Sequence, residues 1–255
     1  MNNHQEGYVK TEHDHGIATI EFYHPQSNSL PSKILNDLAK AINDAGSNQS
    51  YNVIVLRSAG NGAFCAGASF DELMSIKTEA EGLQFFSGFA NVINAIRKSH
   101  KFVIGRIHGK AVGGGVGLAC ACDYAIATEA ASIKLSELAI GIGPFVIGPA
   151  VERKTGKNGY TALAMDATEW RTAGWAKRQN IYSEMYTTIE ECDDAVNALA
   201  DRLAHSSPQA MQELKKVFWE GTENWDKLLA ERAAMSGRLV LSDFTRKAIE
   251  KFKAK

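Results

Sequence analysis

The chain has 255 residues, 45% hydrophobic and 22% charged, with 28 basic against 29 acidic side chains. That length allows one large domain or two modest ones with an ample core, and a formal net charge of -1 excludes the basic excess of a general nucleic-acid binder. The longest charge-free apolar stretches, Ala111–Cys122 and Leu138–Val151, fall short of the roughly 18–20 residues of a membrane span. Met1–Ile20 shows no signal or transit pattern, so the expectation is a soluble, cytoplasmic protein with no nucleic-acid or membrane partner.

In chain order, Gly16–Tyr23 reads as a strand rich in β-branched residues after a turn. Pro31–Ala45 places Ile34, Leu35, Leu38, Ala41, Ile42 and Ala45 at helical spacing, closed by Gly46. Asn52–Arg57 is a short buried strand ended by Gly60-Asn-Gly62. A long helix follows over Glu79–Ser99, then a strand at Lys101–Ile107, a glycine-rich turn, a helix through Cys122 and a strand at Asp123–Ala127. This alternation predicts an α/β fold of parallel strands with helices outside. After Thr187 the pattern turns helical. Thr188 and Glu191 form a capping box, and Ser207-Pro208 is an N-cap with proline at the first helical position. Two more helices span Trp225–Leu239 and Asp243–Lys253. The reading is an α/β core over residues 1–186 and a helical C-terminal region over 187–255.

Four cysteines (Cys65, Cys120, Cys122, Cys192) are too few for a disulfide framework. Cys120 and Cys122 would point about 200° apart on a helix and have no second ligand pair at metal spacing, so they read as small buried thiols. His13 and His15 sit between strand-like runs and read as a solvated hairpin tip. No metal site is expected. The chain has no G-x-G-x-x-G fingerprint, no P-loop and no G-x-S-x-G elbow, which argues against dinucleotide, NTP and hydrolase-type sites. Two small-residue segments remain, Ala63–Leu73 and Gly109–Leu118, each where a strand yields to a helix. Unpaired amides at such places let a ligand come close, and two facing one point form an oxyanion hole. Tight helix–strand packing is the alternative for either segment alone.

Together they resemble the crotonase (enoyl-CoA hydratase/isomerase) superfamily. Ala63-Phe-Cys-Ala-Gly-Ala68 is similar to its first oxyanion segment, and Ile107-His-Gly-Lys-Ala-Val-Gly-Gly-Gly115 through Cys122-Asp123 to its second. Ala131-Ser-Ile-Lys-Leu-Ser-Glu137 through Gly141-Ile-Gly-Pro144 is similar to its catalytic-glutamate segment. The resemblance runs from about Gly16 to the C-terminus. It implies a β-β-α spiral core, a helical tail building homotrimers or hexamers, and an acyl-CoA thioester substrate. No cofactor is implied beyond the coenzyme A of the substrate itself. It also implies that the amides of Ala68 and Gly114 hold the thioester oxygen and that Glu137 is the acid/base.

One departure matters most. Family hydratases carry two glutamates; the place of the first is held by Gly117, and the second survives as Glu137. A single carboxylate can hydrate a short or branched 2-enoyl-CoA by serving as base and acid in turn. It also suits a Δ3-Δ2 isomerase, which needs one proton shuttle, and a non-catalytic acyl-CoA binder is a third reading. The Gly-Gly-Gly-Val-Gly-Leu run resembles hydratases of the 3-methylglutaconyl-CoA type, and Gly117 is expected to leave room for a branched or carboxylated chain. By resemblance, Gln26, Ser27 and the backbone of Cys65 and Ala66 flank the coenzyme A. Lys251 and Lys253 are candidates for its phosphates, with a solvated helix face as the alternative. Phe70, Leu73, Pro144 and Phe145 are the acyl-pocket candidates.

Overall fold

The computed structural model describes residues 7–253, with side chains through residue 251. Strand β1 (Tyr8–Asp14) turns through His15 and Gly16, both at positive φ, into antiparallel β2 (Ile17–Tyr23). His13 thus belongs to β1 and His15 to the hairpin turn. The sheet continues in parallel through β3 (Val53–Ser58), β4 (Phe102–Ile107), β6 (Tyr124–Thr128) and β8 (Glu184–Tyr186), in the order β1-β2-β3-β4-β6-β8. A separate two-stranded ribbon pairs β5 (Ala111–Val112) with β7 (Ile133–Lys134).

The period-2 pattern of β3 explains the layering. Ile54 and Leu56 face the main core, whereas Val53 and Val55 face a smaller cluster with Cys192, Val196 and Ala200 of α7 (Ile189–Ala204). The main core is covered by α1 (Ser32–Ser47) and α3 (Glu79–Lys98), which bury Ile34, Leu35, Leu38 and Ile42, and Phe85, Phe86 and Phe89. The capping box of α7 is present as its sequence predicts, and Thr78 with Glu81 forms another on α3. Helix α2 (Phe70–Ser75) follows the first small-residue segment, and α4 (Gly114–Ala121) follows the second.

Sequence periodicity missed α5 (Gly148–Met165), α6 (Ala173–Arg178) and β8. In α5 the backbone leaves helical geometry at Gly156, and a charged run interrupts the apolar spacing. Helix α8 (Pro208–Phe218) is held by a buried polar knot. The Asp123 carboxylate pairs with Lys215 and accepts hydrogen bonds from Trp219 Nε1 at 2.8 Å and the Val103 amide at 2.7 Å. Those bonds end the turn at Asp123, so β6 starts one residue later than expected. Helix α9 (Trp225–Leu239) folds back onto α3, and α10 (Asp243–Lys253) packs on α2 and on the 3₁₀ turn Leu138–Ile140. The C-terminal helices therefore form a wall of this chain's own interior.

Candidate active site

The first small-residue segment is laced on both sides. Its Ala66 amide donates to Ser27 O at 3.1 Å and its Gly67 carbonyl accepts from the Leu30 amide at 2.7 Å. On the other side the Cys65 amide donates to Lys110 O at 3.2 Å, and the Val112 amide donates to Cys65 O at 2.9 Å. Asn28, buried and at φ 55, anchors the approach by donating from Nδ2 to the carbonyls of Ala59 and Ala63, at 3.0 and 2.9 Å. The lacing brings the two segments together: a Cβ on Gly67 would sit 3.6 Å from the Gly114 nitrogen.

Among the described residues, neither the Ala68 nor the Gly114 amide has a backbone acceptor. Gly114 is the first residue of α4, where an amide has no intrahelical acceptor and the helix dipole favours negative charge. Both residues border one cavity, and Glu137 borders it too. The ribbon sets that meeting, because the Gly113 amide donates to Lys134 O at 2.9 Å and ties the entry to α4 to the strand leading to Glu137.

Glu137 precedes the 3₁₀ turn, and its carbonyl accepts from the amides of Ile140 and Ile142 at 3.2 and 3.0 Å, fixing its backbone. Its carboxyl lies against Gly113: a Cβ there would meet Oε1 at 2.8 Å, and φ is +51. The positive φ favours glycine at 113, and a Cβ there would displace the Glu137 carboxyl. Part of the residue reaches the surface, but Oε2 is buried and lacks a hydrogen-bond partner. Burial pushes the carboxyl up to about 7, because a charge without solvent or a counter-ion disfavours ionisation.

Phe70, Leu73, Pro144 and Phe145 all line this cavity, together with Phe86 and Phe89 of α3, Ile147 and Ser236. The phenylalanines of α3 and the serine of α9 were not singled out from sequence, where an apolar helix face reads as core. Glu137 is the only carboxylate among the described lining residues. Gly117 does not line the cavity. A Cβ there would meet Ile147 Cγ2 at 2.4 Å and Cβ at 2.7 Å. The space of the missing first glutamate is thus filled by Ile147, which corrects the expectation that Gly117 leaves room for a branched chain.

Of the coenzyme A candidates, Gln26 and Ser27 are exposed on the loop before Asn28, and Gln26 Nε2 donates to Asp71 Oδ2 at 2.8 Å. Ala66 borders the cavity, but Cys65 is fully buried and both of its backbone polar groups are used by the lacing. Cys65 is therefore a packing residue, a correction to its reading as a flank of the ligand. Lys251 is exposed on α10, and the Lys253 side chain lies outside the described residues. All four cysteines are buried and unpaired.

The family model for enoyl-CoA hydratase/isomerase matches residues 12–255. The chain belongs to this family. YngF of Bacillus subtilis (strain 168) is 30% identical over 224 residues, covering 84% of this chain and 81% of YngF. The mitochondrial methylglutaconyl-CoA hydratase of Rattus norvegicus is 30% identical over 208 residues, covering 77% of this chain and 63% of that protein. The crystal structure of the enoyl-CoA hydratase from Bacillus halodurans superposes with a TM-score of 0.88 over 96% of this chain and 99% of that one, at 22% identity, and shows the shared crotonase fold. The chain is an enzyme-family member with a crotonase-type α/β architecture, as its motifs imply.

Proposed function

We propose that this protein hydrates a short or branched 2-enoyl-CoA to the 3-hydroxyacyl-CoA, with Glu137 as both base and acid. The observation that carries the reading is the buried Glu137 carboxyl, held near neutrality at about 7 beside two amides free to bind an oxygen. The Ala68 and Gly114 amides take the thioester oxygen. Glu137 removes a proton from water as the water oxygen bonds to C3, and the C2–C3 π electrons move through C2 onto the clamped oxygen as an enolate. The protonated Glu137 then returns its proton to C2, and the carbonyl re-forms. A carboxyl near its midpoint at working pH serves both halves of this cycle. Ser136 and Ser236 also border the cavity and give a bound water polar company. The relatives named as hydratases, including the methylglutaconyl-CoA enzyme, support the substrate class.

Ile147 in the place of a second acid favours one further reading. In a Δ3-Δ2 isomerase, Glu137 takes a proton from C2 and returns it to C4 through a dienolate whose oxygen the same two amides hold, without water. In both readings the chain assembles as a trimer or hexamer. The exposed Leu214, Val217 and Phe218 on one face of α8 support a buried contact between copies.

The test is ultraviolet absorbance of the conjugated enoyl thioester. With crotonyl-CoA or 3-methylglutaconyl-CoA, hydration bleaches it. With a 3-enoyl-CoA, isomerisation makes it grow. Binding of coenzyme A esters with silence in both assays refutes catalysis and leaves a binder.

A further inference from the structure

Next to the catalytic cavity lies a second one, with an open volume of about 650 Å³ against about 50 Å³ for the first. Phe145 borders both, so the partition between them includes this one aromatic side chain. The flanking helices run on from one cavity to the other. On α9, Ser236 borders the first and Arg232 the second. These residues are four apart, so they share a helix face about one turn, roughly 5.4 Å, from each other. At the start of α5, Ile147 borders the first and Gly148 the second. The Tyr160 hydroxyl, from the second cavity, donates to Pro144 O at 3.1 Å and holds the residue preceding Phe145.

Arg232 is half-buried. Among the described residues its guanidinium has no carboxylate within ion-pair distance, and Nη1 donates to Met235 Sδ at 3.6 Å. A thioether is a weak acceptor, which leaves most of the five guanidinium N–H donors for a ligand. The cavity also carries Arg153, whose guanidinium stacks 4.0 Å from the centre of the Trp219 ring, and the acids Glu152 and Glu220.

We propose that the second cavity receives the far end of the acyl chain, past Phe145, and that Arg232 selects acyl-CoA substrates whose chain ends in a carboxylate. The proposal rests on the acyl-CoA reading above and adds the chemistry of the distal end. One helical turn, roughly 5.4 Å, separates Ser236 from Arg232, so about four carbon–carbon bonds beyond the reacting C2–C3 pair span it, in all a chain of roughly six to eight carbons. A bidentate guanidinium–carboxylate contact supplies both attraction and geometry.

The test is a matched pair of equal length, trans-2-hexenedioyl-CoA and trans-2-hexenoyl-CoA, which differ only in the terminal carboxylate. The wild-type ratio of kcat/KM favours the dicarboxylyl ester, chiefly through KM. Arg232→Met lowers that ratio about tenfold or more, Arg232→Lys retains part of it, and Phe145→Ala raises turnover of the eight-carbon dicarboxylyl ester. An equal ratio in wild type and Arg232→Met overturns the proposal. Calorimetric binding of hexanedioyl-CoA and hexanoyl-CoA needs no chemistry and separates the two claims. A dicarboxylyl preference that Arg232→Met abolishes sustains the distal site even where turnover is absent. Equal binding of both esters, or tighter binding of hexanoyl-CoA, refutes the distal site alone, and failure of both esters to bind refutes it together with the acyl-CoA reading.

Discussion

Glu137→Gln separates what the cavity does for chemistry from what it costs the fold. An ordinary carboxyl titrates near 4.5, and this one is held at about 7 by burial. At about 1.4 kcal/mol per tenfold change in the ionisation equilibrium, the ionised form costs the native state about 3 kcal/mol. The sign follows from proton binding. Between pH 4.5 and 7 the native state holds a proton that the unfolded chain has released, so stability falls as pH rises through that window. Glutamine keeps the shape without the charge. The variant and wild type are therefore equally stable below about pH 4.5, and the variant gains about 3 kcal/mol above pH 7. For a chain of this length that is a rise of roughly 6–12 °C in Tm at pH 8. Over the same range turnover falls about 10³-fold or more, because base and acid are lost together. Thermal unfolding at pH 4.5 and pH 8, paired with the absorbance assay, measures both effects. A stability difference that is the same at both pH values refutes a buried, unpaired carboxyl, whatever the activity shows.

His108 behaves in the opposite sense. It is buried with both ring nitrogens unpartnered, and burial pushes it down to about 4. As pH falls from about 6.5 to 4, the unfolded chain takes up a proton first and stability drops. His108→Asn is expected to remove about 2–3 kcal/mol of that acid-side loss, and denaturant melts in which variant and wild type lose the same unfolding free energy between pH 7 and pH 4.5 refute this. In wild type the Glu137 and His108 trends nearly cancel, so the variants rather than the parent profile carry the information. Gly117→Ala drives a methyl into Ile147 and is expected to cost roughly 1–3 kcal/mol. Ile147→Ala is destabilising in its own right, but in that background Gly117→Ala is expected to cost little, and strict additivity in the double-mutant cycle refutes the contact. Lys215→Ala leaves Asp123 buried without its cation, and a loss of roughly 3–5 kcal/mol is expected in urea melts. A change under about 1 kcal/mol, the range of exposed pairs, refutes the knot as an anchor of α8.

The part of the fold legible in the chain alone is written in short-range signals. The strand and helix alternation, the capping box at Thr188 and the bounds of α9 and α10 follow from periodicity and caps that act within one or two turns. The small-residue segments ending at Ala68 and opening α4, with Glu137 downstream, pointed to the family because each motif is contiguous. Tertiary structure decided what stands opposite them. Gly117 borders Ile147 across 30 positions of chain, Cys65 is buried between two loops, and Phe86, Phe89 and Ser236 reach the cavity from helices whose sequence reads as core. The raised pKa of Glu137 and the position of Arg232 beyond Phe145 belong to the same class. Burial is a sum over neighbours distant in sequence, so solvent exclusion and the facing of two side chains arise only once the helices pack.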